Sequence, residues 1–207
     1  MRRMAAIVAA AAVLVAGCGD PDYRYASDSQ EGVSFRVPYS WTIFDRTEEE
    51  FSGRLDGGAT AQALRVWAID SNELADPRNP EEVDGDVPVG SAQIIATASG
   101  LSQNLSIASV RSVGLEFDPV NPATGLEDTW EVVTDQPLRS EGGVSGAVAV
   151  WNYRETTDDK WLSQAREVFV DPASNRVYLL DIYCSAACFE QHRDDIFDVL
   201  DSWRIDS

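Results

Sequence analysis

Trp161-Leu-Ser-Gln-Ala-Arg-Glu-Val-Phe-Val170, then Asp171-Pro-Ala-Ser-Asn175, then Arg176-Val-Tyr-Leu-Leu-Asp-Ile-Tyr183 is the stretch on which the fold turns. Two runs rich in β-branched and aromatic residues flank five residues with proline and asparagine at turn positions, which predicts two antiparallel strands and a tight connection. Upstream, Val144, Val148, Val150, Trp151 and Tyr153 form a further long strand turned by Asp158-Asp159-Lys160, and Trp130, Val132 and Leu138 extend the meander. Downstream, Phe189, Ile196, Val199, Leu200 and Trp203 recur at intervals of three, four and seven, which predicts one amphipathic helix over 185–202 lying on the sheet.

Toward the N-terminus, Val33, Phe35 and Val37 alternate with polar residues up to Pro38, and Trp41-Thr-Ile-Phe44 follows a Tyr39-Ser40 turn. That pattern predicts a hairpin. Residues 63–69 read as a buried strand. Residues 70–90, with Pro77, Pro80, Pro88 and four acids from Glu81 to Asp86, read as a long acidic loop. Ile94, Ala98, Leu101 and Leu105 after Ser91 have helical spacing, with Ser91 as N-cap, and 106–113 continue as a second short helix. Residues 118–127 are expected to be a loop.

Two of these blocks together resemble a known family. Val33-Ser-Phe-Arg-Val-Pro-Tyr-Ser-Trp41 is similar to the F-x-V-P-x-x-W opening of the PsbP-like fold, and 177–183 followed by a helix into Ser202-Trp203-Arg204 is similar to its closing S-[FW]-R signature. The family includes the extrinsic PsbP subunit of photosystem II, a nuclear Ran-GTPase-binding protein and many actinobacterial cell-envelope lipoproteins. The resemblance covers most of 31–207. It implies an α+β fold, an antiparallel sheet flanked by helices in an α/β/α sandwich, and a bias toward binding and assembly over catalysis.

The first eighteen residues speak to location. Arg2 and Arg3 precede an apolar run ending at Val15-Ala16-Gly17-Cys18. Two charges, about a dozen apolar residues and a small-residue cleavage site make a secretory signal too short to span a bilayer stably. The cysteine directly after the small pair resembles the lipobox of bacterial lipoproteins at all four positions. That resemblance implies removal of residues 1–17, diacylglyceride on Cys18, and attachment to the extracytoplasmic face of the membrane by two acyl chains, since one alone anchors only marginally. Residues 18–31 are small, charged or polar apart from Tyr23 and Tyr25, and read as a lipidated flexible tether that holds the domain tens of ångströms from the bilayer. One globular domain is expected over 32–207, because a mature chain of this length suits one full core.

Of the 207 residues 35 are acidic and 16 basic, for a formal charge of −19; cleavage before Cys18 removes two arginines and no acid, taking it to −21. Such a field repels nucleic acid, so no nucleic-acid partner is expected. With Cys18 committed to lipid, Cys184 and Cys188 remain, and an exported pair is most simply a disulfide. Their Cα atoms would stand about 13 Å apart in a strand but about 6 Å apart over one helical turn, so the bridge needs the chain to turn between them.

No catalytic constellation stands out. His192, the sole histidine, falls beside the buried stripe with Glu190 and Asp195 in range, which any helix this acidic would supply. Ser145 lacks a nucleophile elbow, and no phosphate-binding glycine pattern occurs. Asp84-Gly85-Asp86 lacks the ligand order of a calcium loop. Neither metal nor cofactor is expected. Six tryptophans fall mostly in strands, where packing explains them. The reading is a non-enzymatic, membrane-anchored binding or accessory module of the cell envelope, engaging an envelope protein or an apolar or glycan ligand. The alternative is an envelope hydrolase with a carboxylate-lined groove.

Overall fold

The computed structural model describes residues 22–46, 62–71, 85–97, 106–112, 115, 117–122, 126, 128–139, 144–155 and 159–206. Ten strands and three short helices lie among them: β1 (Tyr23–Asp28), β2 (Val33–Pro38), β3 (Thr42–Asp45), β4 (Gln62–Asp70), β5 (Val89–Ala96), α1 (Ile107–Arg111), β6 (Trp130–Arg139), β7 (Ser145–Arg154), β8 (Trp161–Asp171), β9 (Arg176–Ser185), α2 (Ala186–Gln191), α3 (Arg193–Asp201) and β10 (Arg204–Ile205). The class is α+β with antiparallel sheets. A seven-stranded sheet runs β3-β4-β5-β9-β8-β7-β6, and a three-stranded sheet runs β1-β2-β10.

The meander expected from the C-terminal half is present as β6 to β9, with Val170 paired to Val177 across the Asp171–Asn175 turn. Asn175 has φ 55°, a left-handed position that asparagine tolerates better than most residues. Pro137 falls in β6, which is an edge strand, so its missing N–H breaks no ladder.

The central strands of the large sheet are buried on both faces. Tyr178, Leu180, Ile182 and Cys184 of β9 pack with Phe35, Val37 and Trp67, and with Phe189, Ile196, Val199, Leu200 and Trp203. The intervening Val177 and Leu179 face the other way, into a smaller core with Ile95, Val168, Val170 and Val110 of α1.

Four expectations are corrected. Residues 23–28 are not tether but β1, paired along its whole length with β2. Its inward positions are the small Ala26 and the polar Asp28, both buried, so it lacks the apolar alternation that marks a strand in sequence. Val33–Val37 and Trp41–Phe44 form no hairpin. β2 is flanked by β1 and β10, and the Pro38–Trp41 turn hands the chain to β3 in the other sheet.

The helix expected from Ser91 is β5. It sits between β4 and β9 and is buried on both sides, so its apolar residues run on without alternating and mimic helical spacing. Residues 98–105 lie outside the described set, as do 1–21, 47–61 and 72–84. The final helix is two helices, because His192 at φ −109° and ψ 17° breaks it. The short helix expected after Ser106 is α1, with Ser106 as N-cap accepting from the Ser109 N–H.

Gly90 permits the β5–β9 approach, because a Cβ there would collide with the Asp181 carbonyl. Gly90→Ala is therefore expected to cost roughly 2–3 kcal/mol, read as a lower urea midpoint at unchanged m-value. An unshifted midpoint would mean that the central pair is less close than described.

Candidate functional site

A broad cleft opens at one rim, where the β1–β2 turn meets the β8–β9 turn and Asp206. It encloses about 770 Å³ and is lined by Ser27 to Ser34, Asp171, Ser174, Arg176, Tyr178 and Asp206. Gly32 holds its floor at φ 63°, where a Cβ would stand 2.7 Å from the Asp206 carbonyl. The Asp206 N–H in turn donates to the Gly32 carbonyl at 2.7 Å.

Asp28, Glu31 and Asp171 each have a local role. Asp28 Oδ1 accepts from the N–H groups of Gln30 (2.8 Å) and Glu31 (3.0 Å), which shapes the turn. Its Oδ2 meets the Arg65 guanidinium, which also lies 3.6 Å from Asp45. Burial alone would push the Asp28 carboxyl up, but the Glu31 N–H, Arg65 and the Gln30 N–H together hold it below the ordinary carboxylate range. Glu31 pairs with Arg176 Nε at 3.1 Å, and Arg176 Nη1 donates to the Ser174 carbonyl.

Asp171 accepts from the Ala173 N–H at 2.8 Å and the Ser174 hydroxyl at 2.5 Å, closing the β8–β9 turn. Burial raises the Tyr178 phenol, so it stays neutral as a hydrogen-bonding group. The result is a rigid polar cleft with hydroxyls, carboxylates and one guanidinium. It is suited to accepting hydrogen bonds from a polar ligand.

The sequence-derived candidates lie elsewhere. Cys18 falls outside the described residues. Cys184 and Cys188 are joined by a disulfide at the β9–α2 junction, Cα atoms 5.9 Å apart, where Ser185 caps α2 by accepting from the Cys188 N–H. His192 sits between α2 and α3, with Nδ1 3.8 Å from Asp195 Oδ2, too long for a hydrogen bond, and it does not line the cleft. Ser145 begins β7. Asp86 is exposed, and the Gly85 carbonyl accepts from the Ser185 N–H. No group of three or more metal-ligating side chains occurs among the described residues. Trp41, Trp67, Trp151 and Trp203 are buried, and no tryptophan lines the cleft.

Two further polar features were invisible in sequence. On the face covered by α1, Arg166 and Asp181 make a buried fork at 2.7 and 2.8 Å, and Arg166 Nη1 reaches the Arg111 carbonyl at 2.5 Å. Arg111 grips Asp118 and Asp135, and Trp130 donates to the Pro119 carbonyl, so the fork ties α1 and the 118–122 segment to the sheet. On the opposite face Glu167 is buried, and its Oε2 has no hydrogen-bond partner among the described residues. Burial, reinforced by Asp201 and only partly offset by Arg204, pushes its carboxyl up to about 8.

No protein-family model matches the chain, and no curated protein does. Among solved structures, the chain is similar to cyanobacterial PsbP (CyanoP) from Synechocystis sp. PCC 6803, at 15% identity and a TM-score of 0.50, over 92% of this chain and 96% of that one. It is also similar to LpqN, described as involved in cell envelope biogenesis of Mycobacterium tuberculosis, at 16% identity and a TM-score of 0.49, over 92% and 88%. The Ran-binding protein Mog1p of Saccharomyces cerevisiae follows at 9% identity and a TM-score of 0.43, over 88% and 95%. The first likeness shows a PsbP-like fold.

Two stability measurements test these polar groups. Removing Asp181 leaves a buried guanidinium uncompensated, so Asp181→Ala is expected to cost about 3–5 kcal/mol. A cost below about 1 kcal/mol would mean that the fork is solvated. Glu167 gives a pH dependence. Its carboxyl titrates near 8 when folded and near 4.5 when unfolded, so the unfolded state holds fewer protons in between. Stability from this group is complete below 4.5 and is lost as the pH rises through 8. Glu167→Gln is expected to match the wild type near pH 4 and exceed it by a few kcal/mol, about 2–4, near pH 9. Parallel stability curves would show that the group is solvated.

Proposed function

We propose that this chain is an extracytoplasmic lipoprotein, anchored by acylated Cys18, whose PsbP-like domain acts as a non-enzymatic binding or accessory module of the cell envelope. The carrying observation is Val15-Ala16-Gly17-Cys18 behind a charged and apolar leader, followed within five residues by the first strand of the domain. Two acyl chains supply a lasting anchor. The folded part then supplies recognition. The layers on the two faces of the large sheet support the reading of an α/β/α sandwich, with α1 on one side and α2 and α3 on the other.

The rim cleft is the recognition site in this reading. Its lining argues for a glycan or other polyhydroxylated ligand over an apolar one, since Glu31, Asp171 and Asp206 offer acceptors and Arg176 offers donors. Glu31, Asp171 and Arg176 are held in place before binding by their ion pair and turn hydrogen bonds, which lowers the entropy lost on association. No oriented acid and base pair figures in the proposal, and no covalent step is assigned.

Intact-mass measurement of membrane-extracted protein is expected to find residues 18–207 with a diacylglyceryl adduct, and Cys18→Ser is expected to abolish the adduct. An unmodified mature chain starting elsewhere would end the lipoprotein reading. For the cleft, Asp171→Ala combined with Arg176→Ala is expected to weaken binding to envelope glycans at least tenfold on an immobilised glycan panel, about 1.4 kcal/mol. Equal retention by variant and wild type would move the ligand to another surface.

A further inference from the structure

β1 begins at Tyr23, five residue steps after Cys18, so the first residue of the sheet lies within about 18 Å of the anchoring cysteine even if the chain between is fully extended. A fourteen-residue tether would leave the domain free to tumble; this spacing does not. Whatever the end of the β1–β2 hairpin presents is held beside the bilayer surface. What it presents is an exposed aromatic and a guanidinium. Tyr39 is 61% exposed, the most exposed large apolar side chain among the described residues. The Arg24 guanidinium lies 4.9 Å from its ring centroid, and Arg24 Nε donates to the Tyr39 carbonyl at 2.8 Å. The Tyr39 N–H is fixed on the Asp22 carbonyl, so the pair is pre-positioned. Tyr25, 55% exposed, follows on the same strand.

We propose that this end of the β1–β2 hairpin, Arg24 with Tyr39, is a membrane-contact surface seated in the headgroup layer of the bilayer that holds Cys18. The inference rests on the reading of Cys18 as acylated. Tyrosine prefers the interface because its ring is apolar and its hydroxyl is not, and arginine reaches lipid phosphate with paired donors. Asp20 and Asp22 precede Arg24 in the sequence, and the cleaved chain carries a net charge of −21, so no basic field draws the domain down. The ring and one guanidinium carry the contact, and the short linkage supplies the local concentration. β1 then runs about 20 Å away from that surface, which places the turn at Ser29-Gln30, and with it the rim cleft, on the side remote from the bilayer.

The test uses the acylated full mature chain in vesicles of phosphatidylcholine and phosphatidylglycerol. Nitroxide labels are placed at Ser40→Cys, beside Tyr39, or at Ser29→Cys, at the far turn. Cys184 and Cys188 are bridged and Cys18 is acylated, so only the introduced thiol reacts. The label at 40 is expected to be about threefold less accessible to a water-soluble paramagnetic collider than the label at 29, the protection that an interfacial side chain acquires. Arg24→Glu with Tyr39→Ser is expected to erase the difference while the protein still floats with the vesicles and keeps its near-ultraviolet circular dichroism. Equal accessibility of the two labels in a floating, acylated wild type overturns the membrane contact and leaves the lipoprotein reading intact. A chain that carries no acyl group and does not float overturns both.

Discussion

The structure depends on the double burial of β5, β9 and β8. Where both faces of a strand are covered, its residues cannot divide into an inner and an outer set, and each must fit a different core. β9 meets this with Tyr178, Leu180 and Ile182 toward the larger core and Val177 and Leu179 toward the smaller. A one-residue slip in its register would exchange the two sets and turn Asp181 into the apolar face. The Arg166–Asp181 fork blocks that slip, because both charges are buried and find their partner in one register only. The fork is thus better understood as a register device than as a source of net stability, since buried pairs recover little beyond their desolvation cost.

The same central strands explain which parts of the fold were legible in sequence. β7, β8 and β9 announced themselves through β-branched and aromatic runs separated by turn residues. β5 did not. Ala92, Ile94 and Ile95 are buried with no exposed residue between them, and Ser91 looks like a helix cap while it is in fact a ladder residue opposite Asp181. β1 was missed for the opposite reason. It forms the edge of a small sheet with one solvated face, so Tyr23, Arg24, Tyr25 and Ser27 read as a polar linker, although hydrogen bonds to β2 order them. The break at His192 had no apolar signature, because Phe189 and Ile196 keep helical spacing across it.

The candidate cleft was less legible still. Its residues come from three places in the chain, 27–34, 171–178 and 206, and pairwise contacts such as Glu31 with Arg176 span about 145 positions. Local pattern carries no information about such pairs. One indirect signal existed: Asp171-Pro172-Ala173-Ser174-Asn175 and Ser29-Gln30-Glu31-Gly32 are both turns rich in short polar residues, and two turns at one rim of stacked sheets are bound to meet. Glu167 was hidden in another way. In sequence it is one acid among 35, and only burial, reinforced by Asp201, makes its charge costly.

The order of β1 changes what the acidic composition implies. With a long tether, a charge near −20 would act mainly to keep a loosely held domain off the surface. In the proposed arrangement the sheet begins five residues after the acylated Cys18, so repulsion cannot set the distance, which the chain length limits to about 18 Å. It can still set the orientation. Negative residues turned toward lipid phosphate cost energy, and the Tyr39 ring with the Arg24 guanidinium offers a contact that offsets that cost, so a short linkage and this pair together would favour one pose. In that proposed pose the cleft would face outward, where a ligand borne by another envelope component could reach it without first crossing the headgroup layer.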